Sequence, residues 1–246
     1  MLARAFVISL ERATTRFEHA KSLLSQLPMD AEILPAVDGS EMSDAEVAAC
    51  YHRHVHQPRY PFALRRGEIG CFLSHRNAWQ KILDSELDAA LILEDDVLVD
   101  SDRFRGAIEF VRAHAPKDSY VQLPVRNVPR DVIALSSRGG HRILLPTITP
   151  LRTSGQWVTR LAAKRLLRAT ETFDRPVDTT LQMHWITGVR LLTLDPSGIR
   201  DLTVELGGST IGVGKKRSFS LEKVSREFNR AMYRAKIARL SNKACA

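Results

Sequence analysis

Ala89-Ala-Leu-Ile-Leu-Glu-Asp-Asp-Val97 places five apolar residues directly before three acids. An apolar run this short, entered from a charged segment and stopped by carboxylates, reads as a buried strand ending in a turn rather than as a helix. The acids then stand at a strand's C-terminal end. In an open α/β sheet that edge is where ligands bind, because loops from several strands form a crevice there. Alternation along extended backbone sends Glu94 and Asp96 one way and Asp95 the other, so two hard oxygen donors converge. Such a pair suits Mg²⁺ or Mn²⁺ and leaves coordination positions for a diphosphate. The competing reading is a solvated acidic turn after a core strand, and the triplet alone does not exclude it.

The chain around this stretch has 246 residues and 44% apolar content, enough for one large domain or one domain with an appendage. No stretch is long and apolar enough to span a bilayer, and the opening residues lack the apolar region of a signal peptide. A cytoplasmic location is the expectation. Cys50, Cys71 and Cys245 have no metal-ligand spacing and an odd count, so they are expected to be reduced and structural. The net charge of +8 is concentrated at one end: residues 215–246 hold ten Lys or Arg against two acids, and the remainder is balanced.

Upstream, residues 3–10 read as a first core strand, and Phe17, Ala20, Leu23, Leu24 and Leu27 mark a following helix. Arg12 and Arg16 near that helix's start oppose its dipole unless something anionic is close, and a nucleotide phosphate would serve. Residues 32–37 form a second strand ending at Asp38-Gly39, a turn signal. Ser43 and Glu46 spell a capping box for a short helix over 43–50. His52, His54 and His56 alternate within an aperiodic stretch and read as surface loop. From Arg66 to Leu83 the apolar positions fit one helical face, with Gly67 and Gly70 allowing close approach and with Ser74 and His75 in the first turns.

Downstream, a helix over 102–114 precedes a strand over 119–123, then strands at 131–135 and 141–149 around the Gly139-Gly140 turn. An amphipathic helix over 159–172 is expected to turn Leu161, Ala162, Leu166 and Leu167 inward. Asp178 reads as the N-cap of a helix over 178–186, with His184 more often core or surface than metal ligand, and 189–194 as a late strand. In the tail, Leu221, Val224, Phe228, Met232, Tyr233, Ile237 and Leu240 follow a helical stripe among basic residues. That pattern fits a membrane-surface or partner-binding helix, or a helix packed on its own domain.

Arg66-Gly-Glu-Ile-Gly-Cys71, Ser74-His75, Trp79 and Leu91-Ile-Leu-Glu-Asp-Asp-Val97 together resemble the signature block of glycosyltransferase family 25, the lipopolysaccharide and lipooligosaccharide sugar transferases related to collagen galactosyltransferases. Val7-Ile-Ser-Leu-Glu-Arg12, with Ser9 where Asn is usual, Ala36-Val-Asp-Gly39 and Pro176-Val-Asp178 extend the resemblance in the family's order over about residues 4–200. It implies an α/β, GT-A-like single domain over 1–212, with a mostly parallel central sheet flanked by helices and a basic C-terminal helical tail over 213–246.

The implied activity is metal-dependent, inverting transfer of galactose or glucose from a UDP-sugar to a hydroxyl of a lipid-linked saccharide. Glu94 and Asp96 are the expected metal ligands for Mn²⁺ or Mg²⁺. Asp178 is the expected base, with Asp95 beside it in the catalytic set. Ser9, Arg12, Arg16, Asp38, Glu68, Ser74, His75 and Gly155 are expected to hold or position the donor. The tail is expected to meet the inner membrane surface. A catalytically silent sugar-nucleotide scaffold is the alternative, and nucleic-acid binding on charge alone lacks a recognition motif.

Overall fold

The computed structural model describes residues 1–126, 128, 131–208 and 221–245. In chain order the elements are β1 (Ala3–Ser9), α1 (Thr14–Leu24), β2 (Ala31–Pro35), α2 (Asp44–Cys50), α3 (Arg66–Asp84), β3 (Ala89–Glu94), β4 (Val97–Val99), α4 (Ser101–His114) and β5 (Tyr120–Gln122). They continue with β6 (Val132–Arg138), β7 (His141–Pro146), β8 (Gly155–Thr159), α5 (Arg160–Ala169), α6 (Val177–Leu181), α7 (His184–Thr187), β9 (Leu191–Asp195), β10 (Ile199–Asp201) and α8 (Leu221–Cys245).

Eight strands form one sheet in the order β2-β1-β3-β8-β5-β9-β7-β6. Six run in one direction, while β7 and β8 run against them. The sheet is therefore mixed, with a predominant direction, as the α/β expectation requires. The apolar run of β3 is buried on both faces. Leu91 and Leu93 join one apolar layer with Ala5, Val7, Phe104 and Val111, and Ala90 and Ile92 join the other with Phe6, Phe72, Trp79 and Leu166. Continuous apolar sequence is what a strand covered on both sides needs.

The Ser43–Glu46 capping box forms as read. Other boundaries differ. β6 continues through Ser136–Arg138, and the hairpin turns only at Gly139 and Gly140, whose φ values of 59° and 82° favour glycine. Helix α5 starts at Arg160, so its inward face is Ala162, Ala163 and Leu166, and Leu161 is 43% exposed. The helix expected over 178–186 is two, α6 and α7, and Pro176 rather than Asp178 is the N-cap of α6. The break at Gln182 and Met183 lets Met183 bury itself against Tyr233 and Ile237 of α8.

Helix α8 packs on the domain through Tyr233 and Ile237 while Val224, Phe228 and Met232, expected on the same stripe, are exposed. The Arg175 guanidinium, fully buried, is paired with Asp174 and donates to the Tyr233 hydroxyl at 2.7 Å. The domain boundary expected at 212/213 lies outside the described residues.

Gly70 explains one sequence signal. A Cβ there would sit 2.6 Å from the Val37 carbonyl oxygen and 2.7 Å from the Gly39 nitrogen. The α3 start thus presses directly on the backbone turn after β2, which fixes the wall of the crevice described below. Gly70→Ala forces backbone apart where both partners are main chain, and we expect about 1–3 kcal/mol of destabilisation. Thermal unfolding of the variant checks this.

Candidate active site

The acids close β3 at the predicted edge, and each is held differently. Asp95 is buried, accepting from the Ser9 hydroxyl at 2.8 Å and from Arg16 Nη1 at 2.9 Å. With one oxygen committed to each partner, it ties the end of β1 and the first turn of α1 to the acid turn. Asp95 thus has a structural role at the turn and also lines the first cavity described below. Ser9, at the position where the family resemblance has Asn, still supplies a donor. Arg16 is equally committed: Nη2 lies 3.2 Å from Asp96 and donates to the Gly208 carbonyl at 2.6 Å. A guanidinium beside two carboxylates and a carbonyl neutralises the turn, while its buried Nε has no hydrogen-bond partner among the described residues and the side chain lines the first cavity described below.

Glu94 and Asp96 keep unclaimed oxygens. Oε1 of Glu94 takes the Thr153 hydroxyl at 2.6 Å and His75 Nε2 at 3.1 Å. Oδ2 of Asp96 takes the Thr203 hydroxyl at 2.7 Å. No described residue donates to Glu94 Oε2 or Asp96 Oδ1. Burial and then the neighbouring Glu94 charge push the Asp96 pKa up. Burial also acts to raise that of Glu94, but His75, the Thr153 hydroxyl and the Arg16 charge bring it below its ordinary value. Two mutually repelling carboxylates with free oxygens fit a hard dication, so these residues suit Mn²⁺ or Mg²⁺.

Both acids line two cavities at once. The first, about 420 Å³, is bounded by the ends of β1 and β2 and by α3, with Ser9, Arg12, Arg16, Asp38, Ser74 and His75 on its wall. The second, also about 420 Å³, is bounded by Tyr60, Glu68, Arg152, Pro176, Asp178 and Thr203. Cys71, Glu94 and Asp96 border both, so they mark the seam. Such volumes are those of ligand sites.

Several of the residues expected at the donor also bond within the protein. Arg12 and Asp38 form an ion pair on the rim of the first cavity, and Arg12 with Ser40 holds the Asp38 carboxyl well below the usual range. Ser74 accepts from the Val37 amide at 2.8 Å and donates to the Gly70 carbonyl, tying α3 to the β2 end. Glu68 accepts from the Arg65 amide and faces the second cavity, not the first. Gly155 lines neither cavity. A Cβ there would meet Ile199 at 2.8 Å and Leu123 at 2.9 Å, so packing demands the glycine. His75, 1% exposed, reaches Gln156 at 2.8 Å through Nδ1 and Glu94 through Nε2. His184 lies on α7 beside Trp185, away from both cavities' walls.

Asp178 faces the second cavity, its oxygens taking the Arg152 amide at 3.1 Å and the Thr179 amide at 2.7 Å. Arg152 adopts φ 86°, rare outside glycine, and its guanidinium pairs with Asp201. Thr153, Arg152, Asp201, Thr203, Tyr60 and Gln156 were not singled out in the sequence. Antiparallel pairing delivers most of them: β8 opposite β3 brings Thr153 beside Glu94, and β10 opposite β4 brings Thr203 beside Asp96. Pairings between segments 60 and 100 residues apart leave no local spacing to read.

Residues 3–181 match the family model of glycosyltransferase family 25, described as an LPS biosynthesis protein. A glycosyltransferase 25 family member of Drosophila melanogaster is 39% identical over 99 residues, covering 39% of this chain and 16% of the relative. Procollagen galactosyltransferase 2 of Homo sapiens is 36% identical over 95 residues, covering 37% and 15%. The chain thus spans about a sixth of the length of these relatives. Among solved structures, a glycosyltransferase involved in glycosylation of the major capsid of PBCV-1 aligns with a TM-score of 0.43 and 13% identity, over 80% of this chain and 83% of that one. The family match runs from β1 through the acid turn to the Asp178 helix, and on that ground the chain belongs to glycosyltransferase family 25.

Proposed function

We propose that this protein transfers a hexose, galactose or glucose, from a UDP-sugar to a hydroxyl of a lipopolysaccharide or lipooligosaccharide acceptor, with inversion and with a divalent metal. The observation that carries the reading is the seam: Glu94 and Asp96 offer free oxygens where two ligand-sized cavities meet. The donor nucleotide occupies the cavity at the β1 and β2 ends, the strand edge at which α/β folds bind ligands. The acceptor occupies the cavity that holds Asp178.

In this reading Glu94 and Asp96 would hold Mn²⁺ or Mg²⁺, which would supply positive charge to stabilise the leaving diphosphate. Arg16, Ser9 and Thr203 keep the two ligands in place by fixing the turn that carries them. Asp178 takes the proton from the acceptor hydroxyl as that oxygen attacks from the face opposite the diphosphate. The Arg152 and Thr179 amides orient its carboxylate before the acceptor arrives. Turnover of a UDP-galactose and UDP-glucose panel with Mn²⁺ and a truncated saccharide acceptor tests the whole reading, and the absence of transfer with every donor would refute it.

The exposed stripe Val224, Phe228 and Met232 on basic α8 is read as the face that meets an anionic lipid surface. Each nearby Lys or Arg contributes about 1 kcal/mol to such attraction. Tyr60, which lines the acceptor cavity, packs edge-on against Tyr233 of the same helix, with ring centroids 5.3 Å apart. The helix therefore stands beside the opening that a lipid-borne saccharide would enter.

Asp96→Asn is expected to abolish Mn²⁺-dependent transfer while leaving the metal-free fold as stable as the parent or more so, because a buried charge facing Glu94 is removed. The same logic sets the pH sign. In the parent, Mn²⁺ affinity rises as pH climbs through the elevated Asp96 pKa and falls below it, which calorimetric titration across pH reads directly. Asp178→Asn should lower kcat by about 10²–10⁴-fold with donor binding kept, as steady-state kinetics would show. A Val224→Ser, Phe228→Ser, Met232→Ser triple variant should lose co-sedimentation with phosphatidylglycerol vesicles while keeping activity on a soluble acceptor.

A further inference from the structure

Cys71 and His75 stand one helical turn apart on α3, Cys71 bordering both cavities and His75 the first. A Cys71 thiol sulfur, a His75 ring nitrogen and a Glu94 carboxylate oxygen all lie within 4.8 Å of one another. The two free helix cysteines behave differently. Cys50 turns its thiol back onto its own helix, 3.4 Å from the Glu46 carbonyl, whereas Cys71 donates to no described residue and borders open space. A thiol aimed into a cavity beside an imidazole and a carboxylate is a mixed S, N, O set.

The geometry points to a second metal site, for a thiophilic dication of the Zn²⁺ class, held by Cys71, His75 and Glu94. Tetrahedral Zn²⁺ takes sulfur at about 2.3 Å and nitrogen or oxygen at about 2.0–2.2 Å, so closing this triad around an ion needs a shift of about 1 Å. Solvent in the adjoining cavity completes the shell. Binding releases the Cys71 thiol proton to water and forms a zinc–sulfur bond, with no redox change. Gln156 is placed as the outer partner. Its Oε1 is buried without a hydrogen bond, and turning the amide over presents that oxygen to a protonated His75 Nδ1 and frees His75 Nε2 for the ion, at the cost of the 3.1 Å bond from Gln156 Nε2 to the Thr153 carbonyl.

The site shares Glu94 with the oxygen-only pair Glu94 and Asp96, so the two ions compete for one carboxylate. On the transferase reading above, zinc occupancy removes a ligand of the working metal and halts transfer. Hard Mn²⁺ and Mg²⁺ favour carboxylates and water, whereas thiolate selects Zn²⁺, which lets one small cavity discriminate by ligand type.

The test uses the full chain carrying Cys50→Ser and Cys245→Ser, stripped of metal and titrated with Cd²⁺, whose thiolate bond gives an ultraviolet charge-transfer absorption. One equivalent should produce that absorption, excess Mn²⁺ should diminish it, and Cys71→Ala should abolish it with circular dichroism unchanged. Glu94→Gln and Gln156→Leu should each weaken Cd²⁺ by about tenfold or more. Absence of the absorption, or its survival in Cys71→Ala, overturns the site. If Cys71→Ala fails to fold, Glu94→Gln decides: unaltered Cd²⁺ affinity overturns it equally. A chain inactive with every UDP-sugar that still shows the Cys71-dependent signal would refute the transferase reading and leave this one standing.

Discussion

Three carboxylates in successive positions repel one another, and Arg16 reaches Asp95 and Asp96 together, which offsets that repulsion. That arginine is 6% exposed, so its charge is little screened by solvent. Around it, Ser9 donates to Asp95 and Thr203 to Asp96, and each donor arrives from a different part of the chain. The consequence is a division of labour within three residues. Asp95 is fully engaged as an anchor, and its neighbours are left with one unshared oxygen each. A structure built to hold negative charge under compensation, without quenching it, is suited to receive a cation.

The sheet order explains why this turn opens onto two cavities and not one. With β1 and β2 on one side of β3 and β8 on the other, the acid turn has a parallel neighbour to its left and an antiparallel one to its right. The parallel neighbours end at the same edge and contribute strand-end loops, Ser9 and the Val37–Gly39 turn. The antiparallel neighbour begins there, so what reaches the edge is its lead-in, Leu151–Ser154, which walls the second cavity. Reversal of one strand thus separates a compartment made by strand ends from one made by a loop.

Much of this was legible in the sequence where the signal is local. The β3 acids, the Ser43 capping box, the glycine at the start of α3 and the tail's helical pattern each depend on residues a few positions apart. Two kinds of feature were not legible. Phase was one: Leu161 falls outward because the buried face of α5 centres on Ala162, Ala163 and Leu166, and the helix after Pro176 breaks where Met183 packs against α8. Side-chain commitment was the other. Arg16 and Asp95 carry the residue types of binding groups, and only coordinates reveal that they also pair with each other at the cavity wall.

The Arg175–Tyr233 contact has a bearing on the C-terminal helix. A fully buried guanidinium held by Asp174 and by a tyrosine hydroxyl from α8 leaves a desolvated donor orphaned if that helix swings away, and such an orphan costs a few kcal/mol. The appendage is therefore not a leash on which the domain wanders. It is a fixed foot, and anything gripping it would dictate the heading of the whole molecule, with the mouth beside Tyr60 turned at one constant angle to that anchor.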